Sequence, residues 1–479
     1  MKHANLFRIA ALLGALALSG CRVGPNYTVP VVPAPPAYSD DGHNGNWTQA
    51  TPADTADRGA WWTIYNDAEL NDLEQRCTTA NSSIAAALHS YEQAHDLVLE
   101  SKSALYPTIG IGAVANRNRV SNTRPLRPAN QAQDYWDFLI PLNISWEPDL
   151  WGGVRRQIES ATANAQASAA DLANTRLSLQ GLLAVSFFQL RGIDLQAQLL
   201  RSSLDAYTQT LNLTQTRLKG GLSTESDVEQ ATAQLEETRA QLIDLGVMRA
   251  ALEHAVAVLI DVPATNFHLP DRALAGDPPS VPTGVPSELL ERRPDIASAE
   301  RKVAAANALI GVAKSAYYPS VTLGTVGAVE SDAISQLFNS GSAEWTAGGS
   351  VGQLIYDGGR RKAQMQSAIA QRAQAASIYR EQVLSAFRDV EDQLAALRVL
   401  DQEAVVQQRA VAAARKSTEL STLRYKRGLA PYLEVLTNQT IELTDERLAA
   451  DLVARRIVAA AQLQMALGGG WNSSQLPNS

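Results

Sequence analysis

The chain contains an internal duplication, which restricts its fold to two similar halves. Three short segments of the first half return in the second half in the same order: 102–107 (KSALYP) as 314–319 (KSAYYP), 152–156 (GGVRR) as 358–361 (GGRR), and 218–222 (LKGGL) as 425–429 (YKRGL). Each returns 206 to 212 residues later. Such a steady spacing indicates one structural unit that is present twice.

The first twenty residues have the pattern of a lipoprotein signal peptide. Lys2 and Arg8 carry positive charge, residues 9–18 form an apolar run too short to span a bilayer, and small residues precede Cys21. The pattern predicts cleavage before Cys21 and acylation of that residue. Because Arg22 stands where an aspartate would retain a lipoprotein in the inner membrane, we expect the mature protein in the outer membrane.

The composition after cleavage favours an exported protein that does not bind nucleic acid. Loss of Lys2 and Arg8 would take the formal net charge from −8 to about −10, a poor match for a polyanion. Besides Cys21 only Cys77 remains, so no intrachain disulfide is expected and Cys77 is interpreted as a small core residue. No run of 18 apolar residues follows the signal peptide, so a membrane crossing would have to use β-strands.

The pattern along the mature chain predicts two repeats joined by irregular segments. The predicted divisions are a lipidated extended tether at 21–60, a first repeat at 61–262, a proline-rich linker at 263–294, a second repeat at 295–467 and a tail at 468–479. Three segments do not fit the symmetry of the repeats: 48–80, 261–294 and 468–479. We therefore expect them to pack around the middle of the molecule as a belt.

Each repeat carries a predicted β-hairpin, at about 106–147 and 318–356. The segment 136–146 alternates strictly, with apolar side chains on one face and Asp137, Asn143 and Ser145 on the other. Four strands cannot close a barrel, and open strand edges cannot face lipid, so closure would require further copies of the chain. An amphipathic hairpin on a soluble core is the alternative for either hairpin alone.

Long helices are predicted between the hairpins. The predicted helices are 82–105, 154–219 and 224–262 in the first repeat and 295–317, 360–426 and 431–467 in the second. In each repeat the two shorter helices together match the long one, which would be a rod of roughly 100 Å. We therefore expect the short helices to stack end to end beside the long helix, with the turns at Gly220–Gly221 and Gly428 far from the hairpins.

Several segments resemble outer-membrane factors of the TolC-like, NodT-type lipoprotein class. They are 21–27 (CRVGPNY), Trp61–Trp62 with 65–70 (YNDAEL), and 289–301 (LLERRPDIASAER). The resemblance covers nearly the whole mature chain. It implies an α+β membrane protein: a trimeric twelve-stranded β-barrel, four strands per protomer, continued by an α-helical coiled-coil tunnel in the periplasm. It also implies an exit duct of a tripartite efflux pump.

The resemblance also implies a gate at the periplasmic tip. Aligned on the two glycine turns, the acidic aperture position falls on Glu434, the tyrosine that links helix pairs on Tyr425, and its acidic partner on Asp227. Ala430 and Thr437 depart from the family pattern, which weakens the case for an arginine lock or a second acidic ring. The alternative for Glu434 and Asp227 is a carboxylate that stabilises the first turn of its helix.

No catalytic, metal or cofactor motif is recognisable, so an enzyme is not expected. The implied partners are two further copies of the chain, outer-membrane lipid, a periplasmic adaptor and an inner-membrane transporter, with the resistance-nodulation-division type preferred. A type I protein secretion channel and a structural trimeric surface lipoprotein are the alternatives. The small residues expected to face inward favour an open conduit: Gly110, Gly112, Thr322, Gly324 and Gly348.

Overall fold

The computed structural model describes residues 22–32, 59–121, 134–274, 276, 279, 292–471 and 476. The predicted signal peptide, Cys21, and parts of the tether, linker and tail lie outside these residues. The described residues form seven α-helices: α1 (Ala68–Ala80), α2 (Ser82–Ser103), α3 (Gly153–Lys219), α4 (Glu225–Leu259), α5 (Pro294–Ser315), α6 (Arg360–Lys426) and α7 (Tyr432–Ala466). None of these helices combines the length and the apolar character needed to cross a membrane.

The helices α3 and α6 are the two long rods, with 67 residues each. Each begins directly after a glycine in the left-handed region, Gly152 (φ 78°) and Gly359 (φ 90°). Both are rich in Ala, Leu, Gln and Arg and contain no proline, so nothing interrupts the backbone hydrogen bonds. At about 1.5 Å per residue each rod spans roughly 100 Å.

The shorter helices stack end to end beside the rods. Asn81 caps α2: its side-chain oxygen accepts two backbone N–H groups, while its amide nitrogen donates to the carbonyl of Leu259 at the end of α4 (2.8 Å). In the second half, the Arg293 guanidinium donates to the carbonyl of Ala466 at the end of α7 (3.2 Å), directly before α5 begins. The same end-to-end junction therefore occurs in both halves.

One antiparallel sheet joins the two hairpins. Its strand segments are β1 (Thr108–Ile111), β2 (Val114–Arg119), β3 (Asp134–Trp146), β4 (Ser320–Ser331) and β5 (Ala343–Gly352). β1 and β2 pair with β3 in a single register, β3 pairs with β4, and β4 pairs with β5. The edges of the sheet are therefore β1 with β2 on one side and β5 on the other.

Two strands differ from the prediction. The first predicted strand is broken into β1 and β2 at Gly112, which lies opposite Pro141. Gly112 donates its N–H to the Pro141 carbonyl (3.0 Å), but proline has no N–H to return, so the ladder is weakened there. The last strand ends at Gly352, whereas the sequence pattern extended it to Tyr356.

The register gives the sheet two chemically different faces. Cross-strand partners share a face, and the partners Gly110–Asn143, Gly324–Ser145 and Gly324–Gly348 lie on one of them. We call this the small-residue face. The opposite face carries aliphatic and aromatic side chains, with Ile109 against Ile144 and Trp136 stacked on Phe138 (ring centroids 5.6 Å apart).

The largest core surrounds the middle of α3. Trp61 and Trp62, side chains of α1 including the fully buried Cys77, and Leu269 pack there against Phe187. The segment 61–80, the segment after α4 and Gly469 after α7, which lies beside Trp61, therefore meet at one level of the rods. Ion pairs reinforce this level, because Arg191 of α3 contacts carboxylates of α1 and α3 within its buried surroundings.

Residues 22–32 run along the groove between α3 and α5. The buried Arg156 side chain of α3 donates to the carbonyls of Val23 and Gly24 (3.2 and 3.4 Å) and to the side-chain oxygen of Asn26 (3.0 Å). Gly24 (φ 103°) lies so close to Gly311 of α5 that a Cβ would be 2.5 Å from its Cα. Residues 22–32 are therefore packed closely against α3 and α5.

Candidate functional site at the helix turns

Both rods end in the same type of turn. At the end of α3, the N–H groups of Gly221 and Leu222 donate to the carbonyls of Leu218 and Arg217 (2.9 and 2.8 Å). At the end of α6, Gly428 and Leu429 make the same two bonds to Tyr425 and Arg424 (both 2.9 Å). These are Schellman motifs, which need a left-handed residue, and Gly221 (φ 72°) and Gly428 (φ 74°) supply it.

Asp227 lies in the first turn of α4 and belongs to a capping box. Its carboxylate accepts the N–H of Thr224 (2.9 Å) and the hydroxyl of Ser223 (2.8 Å), while the Thr224 hydroxyl accepts the N–H of Asp227 (3.2 Å). Burial acts to raise the pKa of Asp227, but the hydrogen bonds from Thr224 and Ser223 and the charge of Arg217 outweigh it. The pKa is therefore lowered, and the carboxylate is ionised at neutral pH.

Tyr425, in the last turn of α6, connects two helical hairpins: the first is α3 with α4, and the second is α6 with α7. Its side chain is only 3 % exposed, and its hydroxyl donates to the hydroxyl of Thr214 on α3 (3.2 Å). The Ser223 hydroxyl lies 3.4 Å away, so Ser223 stands between Tyr425 and Asp227. The tyrosine and the aspartate selected from the sequence are therefore neighbours through Ser223, without a direct hydrogen bond.

Arg217 makes the densest contacts between the hairpins. Its guanidinium lies 4.6 Å from the centroid of the Tyr425 ring and donates to the carbonyl of Tyr425 (2.9 Å). A second nitrogen donates to the carbonyl of Leu222 in its own turn (3.3 Å). Arg217 therefore satisfies carbonyls at the ends of both rods while it covers the ring, a cation–π arrangement. Sequence reasoning did not single it out.

A second pair of contacts between the helical hairpins lies farther from the turns, about one to two helical turns earlier on α3 than Thr214. The Tyr207 hydroxyl of α3 donates to the carbonyl of Gln439 on α7 (3.1 Å), and the Gln439 amide donates to the Thr210 hydroxyl (3.3 Å). With Thr214 and Arg217 these residues form a line on α3 that we call the polar stripe: Tyr207, Thr210, Thr214 and Arg217. Its spacing of three, four and three residues keeps one helix face toward the second hairpin, and this periodicity is visible in the sequence.

Glu434 lies in the first turn of α7 and is paired. Its carboxylate accepts the Arg424 guanidinium of α6 at 2.7 Å, and its side chain keeps about a third of its exposure. The helix has no side-chain cap at Pro431, so a first-turn carboxylate also stabilises its N-terminus. Among the described residues, Glu434 makes no hydrogen bond to Tyr425 or Asp227. Arg424 was missed because the pairing depends on how the turn folds back.

Two kinds of feature bear on chemistry in the rest of the described residues: metal-binding clusters and buried ionisable groups. No group of three or more His, Cys, Asp or Glu side chains in this part of the chain is arranged to hold a metal ion. Glu74 of α1 is fully buried, and neither of its carboxylate oxygens has a hydrogen-bond partner. Burial raises the pKa of Glu74 to about 9, so it is neutral at pH 7.

Comparison with known proteins places these features in a family. The sequence model of the outer membrane efflux protein family matches the chain twice, at residues 74–259 and 285–469, in agreement with the duplication. The pyoverdine export outer membrane protein OpmQ of Pseudomonas aeruginosa is 29 % identical over 427 residues, which are 88 % of this chain and 90 % of OpmQ. The cation efflux system protein CusC of Escherichia coli K12 is 27 % identical over 95 % of this chain and 98 % of CusC.

Solved structures are similar over nearly the whole described fold. The outer-membrane channel OprN superimposes with a TM-score of 0.85 at 27 % identity, over 94 % of this chain and all of OprN. The CmeC outer membrane channel of Campylobacter jejuni has a TM-score of 0.87 at 22 % identity, which supports the fold alone. With two matched repeats, two 67-residue rods and one shared sheet, this chain belongs to the outer membrane efflux protein family.

Proposed function

We propose that three copies of this chain join their sheets edge to edge into a twelve-stranded barrel, continued by the helices as a tunnel. The observation that carries the proposal is the pair of free sheet edges. Within the described residues, β5 pairs only with β4, and β1 and β2 pair only with β3. Unpaired backbone groups are costly in lipid, and β5 is exposed throughout. Pairing of β5 with β1 of the next copy removes both edges.

The small-residue face would then line the lumen, and the apolar face would contact lipid. The glycines of the small-residue face leave space in the lumen, since a Cβ at Gly348 would meet no atom within 4 Å. Twelve strands enclose a wider interior than the eight that two copies would give. In this arrangement the protein is a passive conduit whose transport is driven by its partners.

A tryptophan pair on β5 tests the assignment of the faces. Gly348 and Ala347 are exposed neighbours that point to opposite faces. Gly348→Trp should narrow the lumen and lower single-channel conductance in planar bilayers, whereas Ala347→Trp should leave conductance unchanged, because it adds an aromatic side chain on the lipid side. Equal conductance for both variants, or a loss only with Ala347→Trp, would refute the lumen assignment.

The gate is proposed at the helix turns. Tyr425, Arg217 and the rest of the polar stripe hold the second hairpin against the first, and Asp227 anchors Ser223 beside them. Opening would require the second hairpin to move away from α3, which breaks these contacts. Three Glu434 carboxylates near the tip would favour cations, although the pairing with Arg424 reduces the charge of each.

The proposed partners are a periplasmic adaptor and an inner-membrane transporter, with the resistance-nodulation-division type preferred. Similar proteins are described as exporting pyoverdine, solvents, toluene or cations, all small cargo. We therefore assign this chain small molecules as cargo. Co-expression with a resistance-nodulation-division transporter and its adaptor should lower the cellular accumulation of a dye substrate, and Gly348→Trp should abolish that effect.

A further inference from the structure

A basic pocket lies between Arg22, the end of α2 with the two residues that follow it closely, and the first turns of α3. It has a volume of about 260 Å³ and is lined by Arg22, Lys102, Leu105, Tyr106, Arg155 and Ile158. Three side chains are cationic, and the other three give it apolar walls. A pocket with this combination suits a ligand that has an anionic group next to a hydrocarbon chain.

The positive charges of this pocket are only partly neutralised by neighbouring carboxylates. Asp149 accepts the Arg155 guanidinium at 3.0 Å and so balances its charge. Glu159 lies 3.9 Å from Arg22 but only 2.8 Å from the buried Arg156, which is its closer partner. Among the described residues Lys102 has neither a hydrogen bond nor an ion pair from its side chain. Arg22 and Lys102 therefore leave the pocket with excess positive charge.

Arg22 is positioned by the backbone around it. The N–H of Val23 donates to the carbonyl of Trp151 (3.1 Å), and the carbonyl of Val23 accepts from Arg156. A Cβ at Gly152 would be 2.9 Å from the Arg22 Cα, so only glycine permits this approach. The pocket is therefore built from both the N-terminal segment and the helices.

The pocket lies at the level where the strands begin. Tyr106 is 69 % exposed and stands two residues before β1, and the indole N–H of Trp146, at the end of β3, donates to the carbonyl of Leu105 (2.9 Å). Exposed aromatic side chains at strand ends mark the boundary between the apolar and polar parts of a membrane. Cys21, the expected lipidation site, directly precedes Arg22 in the chain.

We infer that this pocket binds the phosphate of an anionic phospholipid in the inner leaflet of the outer membrane. Arg22 and Lys102 contact the phosphate, and Leu105, Tyr106 and Ile158 contact the start of the acyl chains. The site would hold the junction between helices and barrel at a fixed depth. It depends on the outer-membrane location but not on the gate or on acylation of Cys21.

The test measures phosphatidylglycerol binding to the full-length protein in mixed micelles by native mass spectrometry. An Arg22→Gln/Lys102→Gln double variant should bind phosphatidylglycerol about 25-fold more weakly, at roughly fivefold for each cation near a membrane surface. Lys314→Gln is the matched control, because Lys314 occupies the place of Lys102 in the second repeat and does not line this pocket. It should bind like the wild type.

Two further arms identify the ligand. Diacylglycerol, which lacks the phosphate, should bind wild type and double variant equally, and inorganic phosphate should not displace phosphatidylglycerol at equimolar concentration. Displacement by inorganic phosphate would show a free-anion site and overturn the inference, as would unchanged phosphatidylglycerol binding in the double variant or an equal loss in Lys314→Gln. Single-channel conductance of the double variant reports separately on the duct, so the two proposals fail independently.

Discussion

The hydroxyl of Tyr425 provides the sharpest test of the proposed gate. Tyr425→Phe keeps the ring, which packs against Tyr432 (centroids 5.7 Å apart) and under Arg217. It removes the bond to Thr214 and the longer contact with Ser223, whose hydroxyl keeps its bond to Asp227. Thr214 is not left unsatisfied, because its hydroxyl also donates to the carbonyl of Thr210 (3.0 Å). A net hydrogen bond is worth about 1 kcal/mol, so three copies that open together should lose about 3 kcal/mol. The ratio of closed to open channels should fall by roughly 100-fold.

The assay is single-channel recording in planar bilayers at a fixed low voltage, with open probability as the readout. Tyr432→Phe is the matched control, since Tyr432 is a buried tyrosine in the same cluster whose hydroxyl has no hydrogen-bond partner among the described residues. It should record like the wild type. Thr214→Val should open the channel to a similar extent, and adding Tyr425→Phe to it should change little, because both remove one bond. Wild-type open probability in Tyr425→Phe, or equal opening in Tyr432→Phe, would refute the reasoning.

Three further predictions concern other parts of the molecule. Burial raises the pKa of Glu74 from 4.5 to about 9, so the folded state binds a proton that the unfolded state releases, and stability should fall between about pH 5 and pH 9 by several kcal/mol. Glu74→Gln should flatten this fall in a series of thermal melts; parallel curves would contradict the assignment. Arg156→Met should release residues 22–32, measured as faster amide exchange there than in wild type, and unchanged exchange would show that Arg156 does not retain the segment. Glu434→Gln should weaken block by multivalent cations, and Arg424→Gln should strengthen it by unmasking the carboxylate; equal block in all three proteins would show that Glu434 serves only its helix.

The large elements were predictable because they follow from periodicity and from strong local signals. The ends of both rods were predicted to within a residue or two from the glycines at the helix ends and from the proline-free, alanine-rich runs between them. The internal duplication indicated that the two halves have the same elements. The strict alternation at 136–146 identified β3. The break between β1 and β2 depends on Pro141, a residue of the partner strand, and so required the register of the sheet.

The contacts of the proposed gate were only partly predictable, because they join residues about 200 positions apart. Tyr425 and Asp227 were selected through resemblance, and they do lie near each other, but Ser223, Thr214 and Arg217 make the contacts. The helical spacing of the polar stripe was present in the sequence. The residues of α6 and α7 that contact the polar stripe could not be predicted without the arrangement of the two helical hairpins. The pairing of Glu434 with Arg424 likewise depends on the turn at Gly428.

The central claim is that three copies close one duct through β1 and β5. Ile109 and Val351 lie on the edge strands, on the apolar face, near the same end of the sheet, and both are exposed. In a Cys77→Ala background, cysteines at Ile109 and at Val351, or at Ala347 or Gly349 to sample the register, should form disulfides on oxidation in the membrane. The account predicts that one register yields a covalent trimer on a denaturing gel. Linked pairs without trimers, or monomers in every register, would contradict it.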